Sequence, residues 1–519
     1  MAFLKKFRIQ YDDEYEDEDD DDEEEGEGLS SLVSSTIYEK GMELREENDK
    51  WASKWLLKAA NMGHAEAQYE LGWMYKRGEG VEQSDEKAAE WLGKSAKQGN
   101  SDSQNDFGVM CLEGDGVTQS FDEAVKWFRK SAEQGNPFGM CNLGEMYRDG
   151  QGVEQSYDMA MELFERAAQD DFPLALLELG DMYFEGMGVN QSYGKALEYY
   201  EKSENGGDLD AKCRIGDMYR DGTGCVQSYY FAVKYYDEAA SNGNADAQYK
   251  LGLLFLEGNG VEKSYEDALE LLNMAAEQEH DGAWCSLGDM YRDGRGVLQS
   301  YGTAVKWYSM SAEKDNIEAT YNLGRMFLKG LGVGQSYSKA AELFAKAAEN
   351  GNADAAYNLA LLYSEGLGVE QSYERAIDLY WKAIMGGNFE ASHNLAIFYY
   401  EGEGVEQSYS KAAELYEMAA DQGDVYSMYN LAVMYWDGQG VEQSYAKARE
   451  MFEKAAKLGD GKSMYSLAVM YELGLGVEQS YVKAAKMYRD AMSNGETEQA
   501  EKALNTLIRE HPSLLKYKL

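Results

Sequence analysis

The stretch Gly438-Gln439-Gly440-Val441-Glu442-Gln443-Ser444-Tyr445 decides the fold, because its frame returns every 36 residues. The serines of the frame run from Ser84, Ser120, Ser156 and Ser192 through Ser228, Ser264, Ser300 and Ser336 to Ser372, Ser408, Ser444 and Ser480. Each follows a Gln except at Lys263-Ser264. Twelve copies in one register mean one structural unit stacked twelve times. A period of this length marks a solenoid, in which each unit touches mainly its neighbours.

Each unit reads as two helices and two turns. In the first copy Ala67, Leu71, Met74 and Tyr75 recur at helical spacing ahead of Gly78. Position 67 and its equivalents are Ala, Ser or Gly, and position 71 is Leu, Phe or Ile. This is helix A. Gly78 and Gly80 recur down to Gly474 and Gly476. A glycine just past a helix supplies the left-handed backbone that ends it. Val81 and its equivalents, replaced only at Cys225, follow as an apolar residue that folds back under the turn. Ser84 then stands as the N-cap of helix B, its hydroxyl accepting from an orphan backbone N–H. Helix B carries an invariant Ala88, a bulky pair such as Trp127-Phe128 or Tyr235-Tyr236, and a small residue at Ser95. The small residues form a close-contact seam and the bulky pair fills the core. Gly99 ends the helix.

The repeated A-x-x-x-LG-x-MY-x-x-G-x-GV-x-QSY pattern resembles the Sel1-like repeat family, for instance at Leu143-Gly144-Glu145-Met146-Tyr147. The family's usual acidic residue at the helix B cap is Ser here, which keeps the capping chemistry. The resemblance covers residues 65–496. It implies an all-α, right-handed α/α superhelical solenoid of about twelve 36-residue helix-turn-helix repeats, similar to tetratricopeptide arrays, and an adaptor role in assembling protein complexes.

The ends depart from the repeat. Asp12 to Glu27 holds fourteen acidic residues and no basic one, so residues 1–29 are expected to be a disordered acidic tail. Residues 30–64 read as degenerate N-terminal capping helices: Trp51, Ala52, Trp55, Leu56, Ala59 and Gly63 keep the helix B register, but the glycine turn before them is missing. Residues 497–519 read as a C-terminal capping helix, stopped before Pro512, and a short tail. Met1–Gln10 is too short in apolar run, and too soon followed by acids, for a signal peptide. The terminal Lys-Tyr-Lys-Leu only superficially resembles a retrieval signal. Cys141, Cys213 and Cys285 occupy one slot in alternate units, and the cysteine pair in each repeat that the resemblance would imply for some secreted members is missing here, which favours a reduced compartment. A cytoplasmic protein, or a nuclear one, is expected.

Chemistry-bearing motifs do not survive inspection. Six of the twelve repeat copies read Ser-x-x-Lys at the cap serine, at Ser84, Ser192, Ser336, Ser408, Ser444 and Ser480, without the partner motifs of a penicillin-binding nucleophile; a cap and first turn explain all six. Gly-x-Gly-Val follows a helix, not a strand, and lacks the third glycine of a dinucleotide turn. His64, His280, His393 and His511 show no metal-ligand spacing. The expectation is a protein without catalysis, cofactor or metal. Removing the fourteen tail acids from the net charge of −45 leaves −31, which argues against nucleic-acid backbones as partners. No segment approaches a membrane span.

What the repeat leaves free carries the functional reading. By the 100° helical step, positions 69, 73 and 76 project roughly opposite the 67/71/74/78 core face. In mid-chain they hold i,i+3 pairs: Glu145 with Arg148, Asp217 with Arg220, Asp289 with Arg292. Near the C-terminus they become apolar: Tyr357 and Leu361; His393, Ile397 and Tyr400; Tyr429, Val433 and Trp436; Tyr465 and Val469. Gly72 and its equivalents switch to Ala360, Ala396, Ala432 and Ala468 in the same block, where Ala favours helix by about 1 kcal/mol per site. The tyrosines have a competing role in packing on the preceding helix B. The ten residues are the expected lining of a concave groove for a partner peptide or helix. The second expectation is an acidic chaperone or buffer for basic proteins, acting through residues 12–27 and the acidic body.

Overall fold

A computed structural model describes residues 23–45 and 48–517. Among them are 27 α-helices and no strand. They fall into two compact units, Met1–Ala247 and Gln248–Leu519. Each is an α/α solenoid of antiparallel helix pairs, and in each the consecutive helices of a repeat make the densest packing. Repeat 1 is residues 65–100, repeat 9 is 353–388 and repeat 12 is 461–496.

The quoted stretch shows how one repeat closes. Helix A of repeat 11, Val425–Asp437, ends at Gly438, whose φ is 73° and whose N–H donates to the Met434 carbonyl. Gly440 also has positive φ, 70°, and a Cβ there would run into the Tyr409 backbone of the preceding repeat. That position demands glycine twice over, for its backbone and for the close approach. Ser444 is extended and its hydroxyl accepts from the Lys447 N–H, capping helix B, Tyr445–Lys457. Gln443 has the role left unexplained by the sequence. Its side-chain amide donates to the Trp436 carbonyl at 2.9 Å, tying the last turn of helix A to the start of helix B. The same bond recurs from Gln83 to Lys76 and from Gln479 to Glu472.

Helix B ends at a glycine with φ between 87° and 99° in most repeats. Asp171, Glu279 and Asp315 stand in that slot instead and take φ of 56°, 60° and 61°. L residues are strained there.

The core of each unit follows the expected register. Ala88, Ala124 and Ala160 are fully buried in the first unit, with Leu71, Phe128 and Phe164. Phe344, Tyr380, Leu395 and Phe452 are buried in the second. Each such large side chain contributes about 1.5–3 kcal/mol by leaving water. The 72-type glycine exists for the 92-type ring: a Cβ on Gly216 would lie 2.5 Å from Tyr236, and one on Gly288 2.5 Å from Tyr308.

The N-terminal boundaries need correction. The helix Glu23–Arg45 begins inside the acidic run, so residues 23–29 are helical rather than part of a disordered tail. The rest of the tail, residues 1–22, lies outside the described residues. The pair Glu23–Arg45 and Asp49–Asn61 is a repeat with a shortened turn: Gly41 faces Leu56 as Gly72 faces Leu92, fifteen residues apart instead of twenty. At the other end, helix Thr497–Glu510 buries Leu504, Leu507 and Ile508, and a 3-10 turn, Pro512–Tyr517, folds Leu514 under it. Among the described residues, no helix is long and apolar enough to cross a membrane.

Candidate functional site

All six Ser-x-x-Lys motifs are engaged in building the repeat. The serine oxygen accepts from the lysine's own backbone N–H, as at Ser84–Lys87 and Ser480–Lys483. The lysine ammonium then lies over the 75-type ring of the same repeat. Lys87 is 5.1 Å from the Tyr75 centroid, Lys195 4.5 Å from Tyr183 and Lys447 5.0 Å from Tyr435. Such contacts contribute about 0.5–1 kcal/mol at exposed sites. Burial pushes the Cys111 thiol up to about 11 and raises those of Cys141 and Cys285, so these sulfurs are poor nucleophiles at neutral pH. His64 and His280 are helix caps, each ring accepting from a backbone N–H three residues on. Among the described residues, no group of His, Cys, Asp and Glu is arranged to hold a metal ion.

The 69/73/76 face is not turned away from the core. It lies along the buried 92-type side chain of its own repeat, and its 69-type residue is itself buried in several repeats, as at Cys141, Cys213 and Cys285. In the first unit Tyr200 and Tyr236 donate to Asp181 and Asp217 at 2.6 and 2.7 Å. Asp217 also pairs with Arg220 at 3.1 Å, and in the second unit Asp289 pairs with Arg292 at 2.7 Å, as the spacing predicts. Arg148 differs from expectation. It reaches Glu178 of the next repeat and its neighbour Asp149. Glu178 is buried, and burial pushes its carboxyl up to about 7 against the opposing pull of Arg148.

In the last four repeats the same positions form three apolar rows. Tyr357, His393, Tyr429 and Tyr465 rest on the 92-type rings of their own helix B, with centroids 6.2, 5.8, 5.8 and 5.5 Å from Tyr380, Tyr416, Phe452 and Tyr488. These tyrosines therefore pack on the helix B that follows them. Leu361, Ile397, Val433 and Val469 form the second row, and Tyr400 and Trp436 the third. All ten are half-buried, packed against the core yet open on one side. Tyr400 and Trp436 lie edge-on to Tyr409 and Tyr445 at 5.1 and 5.7 Å, and the Tyr400 hydroxyl donates to Gln439.

Two cavities open beside these rows. One, of about 390 Å³, is lined by Tyr357 and His393 among others. The second, of about 500 Å³, is lined by Tyr465 and Val469 with the C-terminal helix. Leu361, Ile397, Tyr400, Tyr429, Val433 and Trp436 line neither. His393 adjoins Ser427 at 2.8 Å and Asp424 at 3.0 Å, but both contacts converge on one ring nitrogen, Nδ1. A relay from nucleophile through base to carboxylate needs both nitrogens. Sequence reasoning passed over Phe389, Glu390 and Asp424 in the first cavity. Their signal was a break in an acid–amide pattern between consecutive repeats.

The Sel1 repeat pattern matches thirteen segments: 35–64, then contiguously from 65 to 280, 285–316, and contiguously from 317 to 495. The first covers the stretch read above as a degenerate cap, so the chain has thirteen repeats rather than twelve. Among solved structures the chain is similar to a protective antigen of uropathogenic Escherichia coli strains displaying an SLR fold. The two are 31% identical, with 83% of this chain and 92% of that chain covered and a TM-score of 0.58. A Sel1 repeat protein from Oxalobacter formigenes is 32% identical over 60% of this chain and 89% of its own, with a TM-score of 0.42. No curated protein matches the chain.

Proposed function

Because the chain belongs to the Sel1 repeat family, we propose that it works as a non-catalytic scaffold binding a segment of another protein along repeats 9 to 12. One observation carries this reading: three rows of aromatic and aliphatic side chains, half-open, with members 36 residues apart, where repeats 3 to 5 set Glu145, Asp181 and Asp217. An accessible apolar surface several repeats long, with aromatic anchors, is the kind that protein segments use. A solenoid presents it on a rigid backing, so little order is lost on binding.

The test is affinity capture from the native cell extract. Full-length chain is compared with Tyr400→Ala/Trp436→Ala and with a chain lacking residues 1–22, which leaves the helix Glu23–Arg45 whole. The scaffold reading expects the double variant to lose a partner that the shortened chain keeps, at low and high salt. Unchanged capture by the double variant, with circular dichroism matching wild type, would sink the assignment. Salt-sensitive capture of basic proteins that vanishes with residues 1–22 would instead identify an acidic buffer.

A further inference from the structure

Consecutive helices A are joined by an acid–amide pair in several repeats. Asn136 donates to Asp102 at 2.6 Å, Asn244 to Asp210 at 2.7 Å and Asn388 to Asp354 at 2.6 Å. The Asn does two jobs, since its carbonyl oxygen also caps its own helix, as Asn388 accepts from the Ala391 N–H. Between repeats 10 and 11 this arrangement fails. Glu390 holds the acid position, but Asp424 stands where the amide belongs. Asp424 still caps, accepting from the Ser427 N–H at 2.7 Å, but it has no N–H to offer Glu390.

The 390 Å³ cavity opens at this junction, with both carboxylates in its lining. Its other walls include Tyr357, Phe389 and His393, and its lining contains no Lys or Arg. Phe389 is 37% exposed at the rim. Burial raises the Tyr357 phenol, and the charges of Glu390 and Asp424 push the same way, so the negative field reaches into the cavity.

We propose that this cavity seats a basic side chain, arginine or lysine, of the protein segment bound along repeats 9 to 12. The inference rests on the scaffold reading and names the chemistry of its partner. Two carboxylates without an amide between them supply the counter-charge, and the rings cover the alkyl stem and the face of the cationic head. The chain's net charge of −45 steers a basic segment toward it.

The probes are Nα-acetyl-arginine methylamide, Nα-acetyl-lysine methylamide and the uncharged norleucine analogue, titrated into the full chain and read by saturation-transfer NMR. We expect a charged probe to saturate in the millimolar range and the norleucine analogue not to. Asp424→Asn restores the acid–amide pair and keeps the cap, so it should weaken the charged probe by about fivefold or more without lowering the melting temperature. Glu390→Gln should weaken it likewise. Equal binding of norleucine, or full affinity in both variants, overturns the proposal. Tyr400→Ala/Trp436→Ala leaves the cavity lining intact and should not change probe binding. Failure of the probes therefore counts against the cavity alone, and failure of that double variant to release a partner counts against the scaffold reading alone.

Discussion

Gly216 lies directly beneath the ring of Tyr236, whose hydroxyl donates to Asp217 at 2.7 Å. The ring is pinned at its far end, so it cannot slide to admit a methyl group 2.5 Å away. Gly216→Ala is expected to lower stability by about 1 kcal/mol, the net of about 1–3 kcal/mol of overpacking and the better helix propensity of Ala. Repeat 12 shows how the other block differs: Ala468 fills the position, and Tyr488 donates to Glu472, one turn further along helix A. The urea midpoint of Gly216→Ala against wild type measures the effect; an unchanged midpoint would mean the ring moves freely.

Glu279 is held at φ 60° in a slot that glycine fills in most repeats. Its ion pair with Lys314 is exposed and contributes little. Glu279→Gly is therefore expected to stabilise the second unit by about 0.5–1 kcal/mol, where the same change inside a helix would destabilise it. Thermal unfolding followed at the helical signal reads the shift.

Gln443 ties its two helices together through the Trp436 carbonyl. Gln443→Ala should cost about 1 kcal/mol. Its local signature is faster amide hydrogen exchange at Ser444, whose N–H donates to the Tyr435 carbonyl across the same turn. Lys263 is the one departure from Gln in this frame, so Lys263→Gln should slow exchange at Ser264.

The Glu178 carboxyl, pushed up to about 7 by burial, makes stability depend on pH. Between about pH 4.5 and 7 the folded chain holds a proton that the unfolded chain releases, so this residue's contribution falls as pH rises through that window. Glu178→Gln removes the titration. Its stability relative to wild type should rise from pH 5 to pH 7.5 by about 2 kcal/mol, and a flat difference would mean that Arg148 keeps the carboxylate charged throughout.

Much of this molecule is written in contacts inside one repeat. Gly438, Ser444 and Lys447 are separated by a few residues, and helix termination, capping and the first turn depend on local backbone geometry, so the 36-residue register alone determined the helices, the turns and the solenoid class. The family resemblance followed from the same register. Other features join residues 19 to 37 positions apart and exist only once helices are stacked. Tyr236 on Asp217, Arg148 on Glu178 and Asn394 on Tyr357 belong to this group. A helical wheel assigns one core face to helix A, whereas the tertiary structure surrounds it with its own helix B and with neighbouring repeats, so positions 69, 73 and 76 are partly or wholly covered rather than free. That Glu390 and Asp424 line one cavity was likewise decided by stacking: each acid is unremarked on its own helix, and only the junction between repeats brings both to one opening with no amide in the slot that Asn388 fills one repeat earlier.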